Sequence, residues 1–260
     1  MSIVLNEYEW AENAIKNRNF GKKPSETLLR IAKYYFQNGY TKKDTATLLR
    51  DYIIRCDPDV SLEKWTNLID WSVGAAVKYK PIMIDGIAIT SNELNRIKEL
   101  SSKQCQRLAF TLLCIAKYAH EAFSNDYWVN TPDSEIMKMA NINTSIKRQS
   151  AMFGQLKDEG MIRFSKRIDN LSVQVLFADD ESDVAVVVTD FRNLGYQYNK
   201  LCGGSYYECQ CCGLTVKHNE KSTKTEKYCK ACADLMRRKQ NAESVSRLRE
   251  GSGTRNYPVS

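Results

Sequence analysis

Nine cysteines occur in the 260 residues, and their placement constrains the fold more than any other feature. Cys56, Cys105 and Cys114 stand singly in helical patterns, whereas Cys202, Cys209, Cys211, Cys212, Cys229 and Cys232 fall within one short stretch. Cys209-Gln-Cys-Cys212-Gly213 and Cys229-Lys-Ala-Cys232 make two C-x-x-C pairs with 16 residues between them. That separation lies inside the range of about 15–20 that marks a zinc site. Each C-x-x-C turn presents two thiolates from one knuckle, and two knuckles complete the tetrahedron of a closed structural site. A redox C-x-x-C is the competing reading, and the pairing of the knuckles argues against it. Cys209, Cys212, Cys229 and Cys232 are therefore the expected ligands of one structural Zn2+. Cys211 cannot easily share its turn with both neighbours and is expected to be a non-ligand, as a spare thiol alongside Cys202. Gly213 relieves the backbone just after the first knuckle, where a positive φ is often required.

The run after Cys232, Ala-Asp-Leu-Met-Arg-Arg-Lys-Gln-Asn-Ala-Glu-Ser, favours helix, so the second knuckle is expected in a helix's first turn. A knuckle, a hairpin and a helix carrying the last two ligands resemble the treble-clef zinc fold. This region also holds the charge. Residues 214–260 carry eleven Lys and Arg against five acids, out of a net +7 for the whole chain, so residues 1–213 are almost neutral. A clustered basic segment is the usual footprint of a phosphate-backbone partner. The plainer reading is a solvated tail, part of whose charge balances a four-thiolate zinc site of about −2.

Upstream, the pattern predicts an α+β chain, mainly helical, in four parts: a helical module over 1–80, a hairpin plus winged-helix-like domain over 81–183, a connector over 184–208, and the zinc module with its basic helical tail over 209–260. In the first part Leu28, Leu29, Ile31, Ala32, Tyr35 and Phe36 make an apolar stripe that stops at Asn38-Gly39. Thr41 then caps a helix carrying Leu48, Leu49, Tyr52 and Ile53, and Ser61 caps another through Trp65, Ile69 and Trp71. Ile82–Ile84 and Ile87–Ile89 around Asp85-Gly86 predict a β-hairpin. Thr90-Ser-Asn-Glu93 is a capping box, and a helix over about 103–123 places Leu108, Leu112, Ile115 and Ala119 on one face.

Residues 103–178 then read as helix, strand (Tyr127–Val129), helix (Asp133–Ala140, with Thr131 as cap and Pro132 first in the helix), a second helix from Asn143 or Thr144 to Glu159, and two strands around Asp169-Asn170. That order resembles a winged helix, which implies a double-stranded DNA partner. In a helix-turn-helix the N-terminal part of the second helix meets base edges. Here that helix offers Asn143, Ser145, Lys147, Arg148 and Gln149, with Ile146, Phe153 and Leu156 expected on its buried side. Arg can engage guanine and Gln adenine in bidentate fashion. Arg163, Lys166 and Arg167 on the wing, and Arg237, Arg238 and Lys239 on the C-terminal helix, are placed to meet phosphate. Some winged helices use the same surface for protein contacts, so a protein partner in replication or host machinery is the alternative.

Other classes find little support. Apolar runs such as Leu108–Ala116 fall far short of the ~20 residues a membrane-spanning helix needs, so no membrane partner is expected. The N-terminus carries Glu7, Glu9 and Glu12 with no apolar core region, which argues against a signal peptide and for a cytoplasmic protein. Phosphate-cradling glycine motifs are missing. The acidic run 178–183 reads as an exposed loop, and Val184–Val188 as a further strand. His120 is expected to pack on the long helix, and His218 to lie exposed between the knuckles. No catalytic constellation emerges; a metal-dependent nuclease built on His218 ranks third. Asp190-Phe-Arg-Asn-Leu-Gly-Tyr-Gln-Tyr198, followed by a YYEC-x-x-CG-like knuckle and a YC-x-x-CA knuckle, resembles uncharacterised proteins of bacteriophages and mobile elements in Gram-positive bacteria. The helices over 27–79 are similar to the module that accompanies primases of such elements. These resemblances imply a replication or regulatory role in a bacterial or phage-infected cytoplasm, with no catalytic residues to transfer. Oligomeric state is not legible.

Overall fold

A computed structural model describes residues 3–21, 23–166, 172–219 and 226–252, the side chains of 248–252 excepted. The chain is α+β and mainly helical, with small antiparallel sheets. Its apolar residues segregate into two cores.

The first core belongs to α1 (Glu7–Asn17), α2 (Pro24–Gln37), α3 (Lys42–Cys56) and α4 (Thr66–Ala76). Leu28 and Ile31 of α2 meet Leu49, Tyr52 and Ile53 of α3 and Ile69 of α4, all fully enclosed. Side chains of this size contribute about 1.5–3 kcal/mol each when buried. Gly39 at φ +83 lets α2 stop, and Thr41 with Asp44 closes a capping box that starts α3. Ser61 makes no side-chain cap; it precedes a short 3-10 turn, Leu62–Trp65, that leads into α4.

The second core is organised by α6 (Lys103–Phe123), whose residues 105–118 are almost all buried. Around it lie β1 (Ile87–Thr90), α5 (Ser91–Lys98), β2 (Trp128–Val129), α7 (Asp133–Met139), α8 (Ile146–Asp158), β3 (Ile162–Phe164), β4 (Val173–Val175), β5 (Val184–Val188) and α9 (Leu194–Leu201). The strands β2, β4 and β3 form one antiparallel sheet in that spatial order, pairing Val129 with Val173 and Ile162 with Val175. Thr90 and Glu93 form the expected capping box, and the buried Glu93 carboxylate also accepts from Lys117 Nζ at 2.9 Å. Gly195 of α9 lies so close to α7 that a Cβ there would stand 1.9 Å from the Ala140 carbonyl oxygen.

Four local expectations are corrected. Ile82–Ile84 and Ile87–Ile89 do not form a hairpin with each other. Met83 bridges to Asn6 and Ile84 N–H donates to Leu5 O, while β1 pairs with β5, Ile87 opposite Val188. Gly86 serves close approach, not a tight turn: a Cβ there would meet Val187 Cγ1 at 2.5 Å. Pro132 occupies the cap position ahead of α7, and α8 begins at Ile146 with Ser145 as cap. Ile146 is 80% exposed, because at the first helical position it points past the core; Met152, Phe153 and Leu156 supply the buried stripe.

Candidate metal centre

Beyond α9 the chain forms a hairpin of β6 (Tyr206–Glu208) and β7 (Thr215–Lys217) and then α10 (Lys230–Ser252). The first knuckle is the hairpin's turn. Cys209 N–H donates to Leu214 O, and Gly213 N–H donates back to Cys209 O at 2.8 Å, with Gly213 in the left-handed region at φ +71. The second knuckle docks on the first through Gln210 N–H to Lys227 O and the Tyr207 hydroxyl to Tyr228 O. Ala233 N–H bonds Cys229 O, so Cys232 sits in the first turn of α10, where the helix's N-terminal partial positive charge favours a thiolate.

The result is one cluster. The Sγ atoms of Cys209, Cys212, Cys229 and Cys232 lie within 4.8 Å of one another, and those of Cys212 and Cys229 are 3.8 Å apart. Cys209 and Cys229 are buried, Cys212 and Cys232 half-buried. Burial alone would push the Cys209 thiol up, but the backbone amides of Cys229, Cys212 and Cys211 bring it down to about 6. The Cys232 thiol is driven upward, first by its contact with Cys229 and then with Cys212. Four crowded sulfurs cannot all ionise without a cation among them, so this donor set fits a metal ion and suits a soft or borderline one. Among the described residues no other group of metal-ligating side chains converges. Cys211 and Cys202 are exposed and outside the quartet. His218 is also outside it: its Nδ1 faces Glu226 at 3.4 Å and its ring packs on Tyr207. His120 stacks on Tyr127 at the end of α6.

Sequence reasoning missed what moors the centre to the rest of the molecule. The Arg192 guanidinium donates to Cys212 O at 2.6 Å, and Asn193 Nδ2 to Thr215 O at 3.0 Å. Asn193 holds φ +54 at the start of α9 and is itself bonded by Asn141. The cue was present in Asp190-Phe-Arg-Asn, but its meaning depends on a tertiary contact.

The candidate DNA-contacting residues lie in three places: the start of α8, β3 and the residues after it, and α10. Ser145, Lys147 and Arg148 are exposed on the opening turn of α8, and Gln149, half-buried, donates its amide to Thr144 O. Arg163 on β3 is exposed, bonded to Gln174 and set over the Trp128 ring at 5.9 Å; Lys166 follows it, exposed. Arg167 lies outside the described residues. Arg237, Arg238 and Lys239 are exposed on α10, with Arg237 only 3.9 Å from Asp234. No helix is long and apolar enough to cross a membrane among the described residues. Comparison with known protein families, curated proteins and solved structures finds none that matches the chain.

Proposed function

We propose that the chain is a DNA-binding protein whose middle is a winged helix and whose C-terminal module holds one structural Zn2+. The observation that carries this reading is α8: one face, Met152, Phe153 and Leu156, is locked into the core, while Lys147 and Arg148 stand free in solvent on its opening turn. The order α6, β2, α7, α8, β3, β4, with β4 between β2 and β3, supports treating α8 as the reading helix and the β3–β4 segment as the wing. Exposed Arg238 and Lys239 on α10 supply a second phosphate-facing element. Four thiolates suit zinc above harder cations, and a site closed by four cysteines leaves no position for a hydrolytic water. The resemblance over residues 190–240 favours a replication or regulatory factor of a phage or mobile element.

Counterion release gives the test. Each phosphate contact contributes about 0.9 to the slope of log K against log salt. Binding of the full chain to random duplex DNA over a salt series should show a steep slope, and Lys147→Ala with Arg148→Ala should lower it by about 2. Equal slopes would overturn the assignment of α8. Retained DNA-independent capture of a protein partner by the same variant would favour the adaptor reading, and metal-dependent nicking lost on His218→Ala the nuclease.

A further inference from the structure

The strand β5 has an edge that nothing in the DNA reading uses. Val186–Asp190 line a groove of about 700 Å³ that is also lined by Lys200 and Leu201 of α9, Glu208 of β6 and Cys212 of the first knuckle. Successive side chains of a strand alternate between its two faces, so consecutive residues share one wall only where the strand's edge forms it. The strand's own exposure agrees: Val184, Ala185 and Val187 are exposed and Val186 half-buried, and only Val188 at its end is enclosed. On the other side β5 pairs with β1, and no further described strand joins the two. About half the amides and carbonyls of such an edge strand face away from its partner and are open to pairing.

Natural edges are blunted by lysine, proline or inward charge. This one is not: the strand reads Val-Ala-Val-Val-Val, with Val184 57% and Val187 54% exposed. Leu201, which also lines the groove, is exposed as well. The ionic groups of the walls are already paired with each other, Arg192 with Asp190 at 2.7 Å and Lys200 with Glu208 at 2.6 Å. These pairs leave no spare positive charge on the walls, and Cys212 of the quartet borders them, so the groove suits an uncharged segment and not a polyanion. A second copy is disfavoured by shape, since α9 and the β6–β7 hairpin flank this same edge and would have to enter the groove along with the copy's own β5.

We propose that the free edge of β5 takes up an extended, uncharged segment of a partner protein as a third strand of the β1–β5 sheet, with apolar side chains at alternate positions packing on Val187 and Leu201. Strand addition of this kind draws affinity from main-chain hydrogen bonds and specificity from alternate side chains. The proposal stands independently of DNA binding.

The probe is a phage-displayed random heptapeptide library selected on the full chain. Enriched peptides should alternate apolar residues and should slow amide exchange at residues 185–189. They should bind Val187→Lys at least tenfold more weakly and Val187→Thr, which keeps the branched strand residue, within about threefold. Failure to enrich, or equal binding by Val187→Lys, overturns the proposal. So would protection of the same amides by a 20-base-pair duplex, which would make the edge a nucleic-acid surface. A concentration-dependent dimer abolished by Val187→Lys would instead assign the edge to self-association.

Discussion

At the scale of single residues, the cysteines carry their meaning in their spacing, because ligand geometry is local: two atoms from one turn, repeated. Replacing Cys232 with Ser removes one of four thiolates, and if the proposed zinc is the metal held, its content by elemental analysis after dialysis is expected to fall from one per chain to well below stoichiometric. Full retention would point to Cys211 as a substitute ligand. Glycine is less legible. Asp85-Gly86 reads as a turn from sequence, yet Gly86 is small because β5 passes over it. Gly195 gives no signal at all, though it lets α9 lie against the α7 carbonyl of Ala140. Overpacking typically costs 1–3 kcal/mol. At Gly195→Ala the added atom would meet backbone 1.9 Å away, so the cost should reach the top of that range or beyond, read as a fall in the urea midpoint. Asp179 adds a pH dependence. The Ser182 hydroxyl and then the Glu181 N–H hold its carboxyl down at about 2. A depressed carboxyl stabilises fully above its ordinary value of about 3.9 and loses that contribution as pH falls through its folded value. Between about pH 4 and 2 the chain should therefore weaken, and Asp179→Asn should flatten that part of the profile.

Elements were legible where a period of three to four residues coincides with a cap. The α2 stripe with Gly39, the Thr41 cap, the Thr90 box and the buried face of α6 all emerge from local pattern because each is decided within a dozen residues. Strand pairing is not local. Ile87–Ile89 was recognisable as a strand, but its partner lies almost a hundred residues away at Val184–Val188, and the nearer candidate, Ile82–Ile84, is captured by the N-terminal residues 5 and 6. The helix α10 presents the opposite case: propensity predicts it, but packing does not sustain it. From Arg237 to Arg247 its side chains are uniformly exposed, so its anchorage is its first turn at the cysteine quartet. Most helical stability in proteins comes from tertiary packing of one face, which this stretch lacks. Chelation of the metal should accordingly speed amide exchange across 206–219 and 226–247 while leaving 103–118 protected, because the α6 core shares no ligand with the centre. Unchanged exchange along α10 would show that the helix holds without the knuckles.

At the scale of the molecule, the two cores are tied by a buried charge. The Glu7 carboxylate accepts from Lys33 Nζ at 2.8 Å, Arg30 Nε at 3.3 Å and the Ile82 backbone N–H at 3.1 Å, so one acid on α1 binds α2 to the segment that leads into β1. Just ahead of it, Ile3 and Leu5 leave the first core and pack on the second. Sequence hydropathy marks Glu7 as an ordinary surface acid, since nothing local reveals that two cations converge on it from another helix. Removing one member of a buried charged set typically costs about 3–5 kcal/mol, because the remaining charges stay desolvated. Glu7→Gln keeps the volume and a hydrogen-bonding group while deleting the charge, so its effect isolates the electrostatic tie. The tryptophans make the outcome readable: Trp10, Trp65 and Trp71 belong to the first module and Trp128 to the second. In the parent chain urea should unfold both reporters together, as expected when a shared contact makes the cores cooperative. In Glu7→Gln the first three should report an earlier transition than Trp128, followed separately in a variant with the other tryptophans replaced by phenylalanine. A single transition merely shifted to lower urea would mean that the apolar contacts of Ile3 and Leu5 suffice to couple the cores, and that Glu7 contributes stability but not cooperativity.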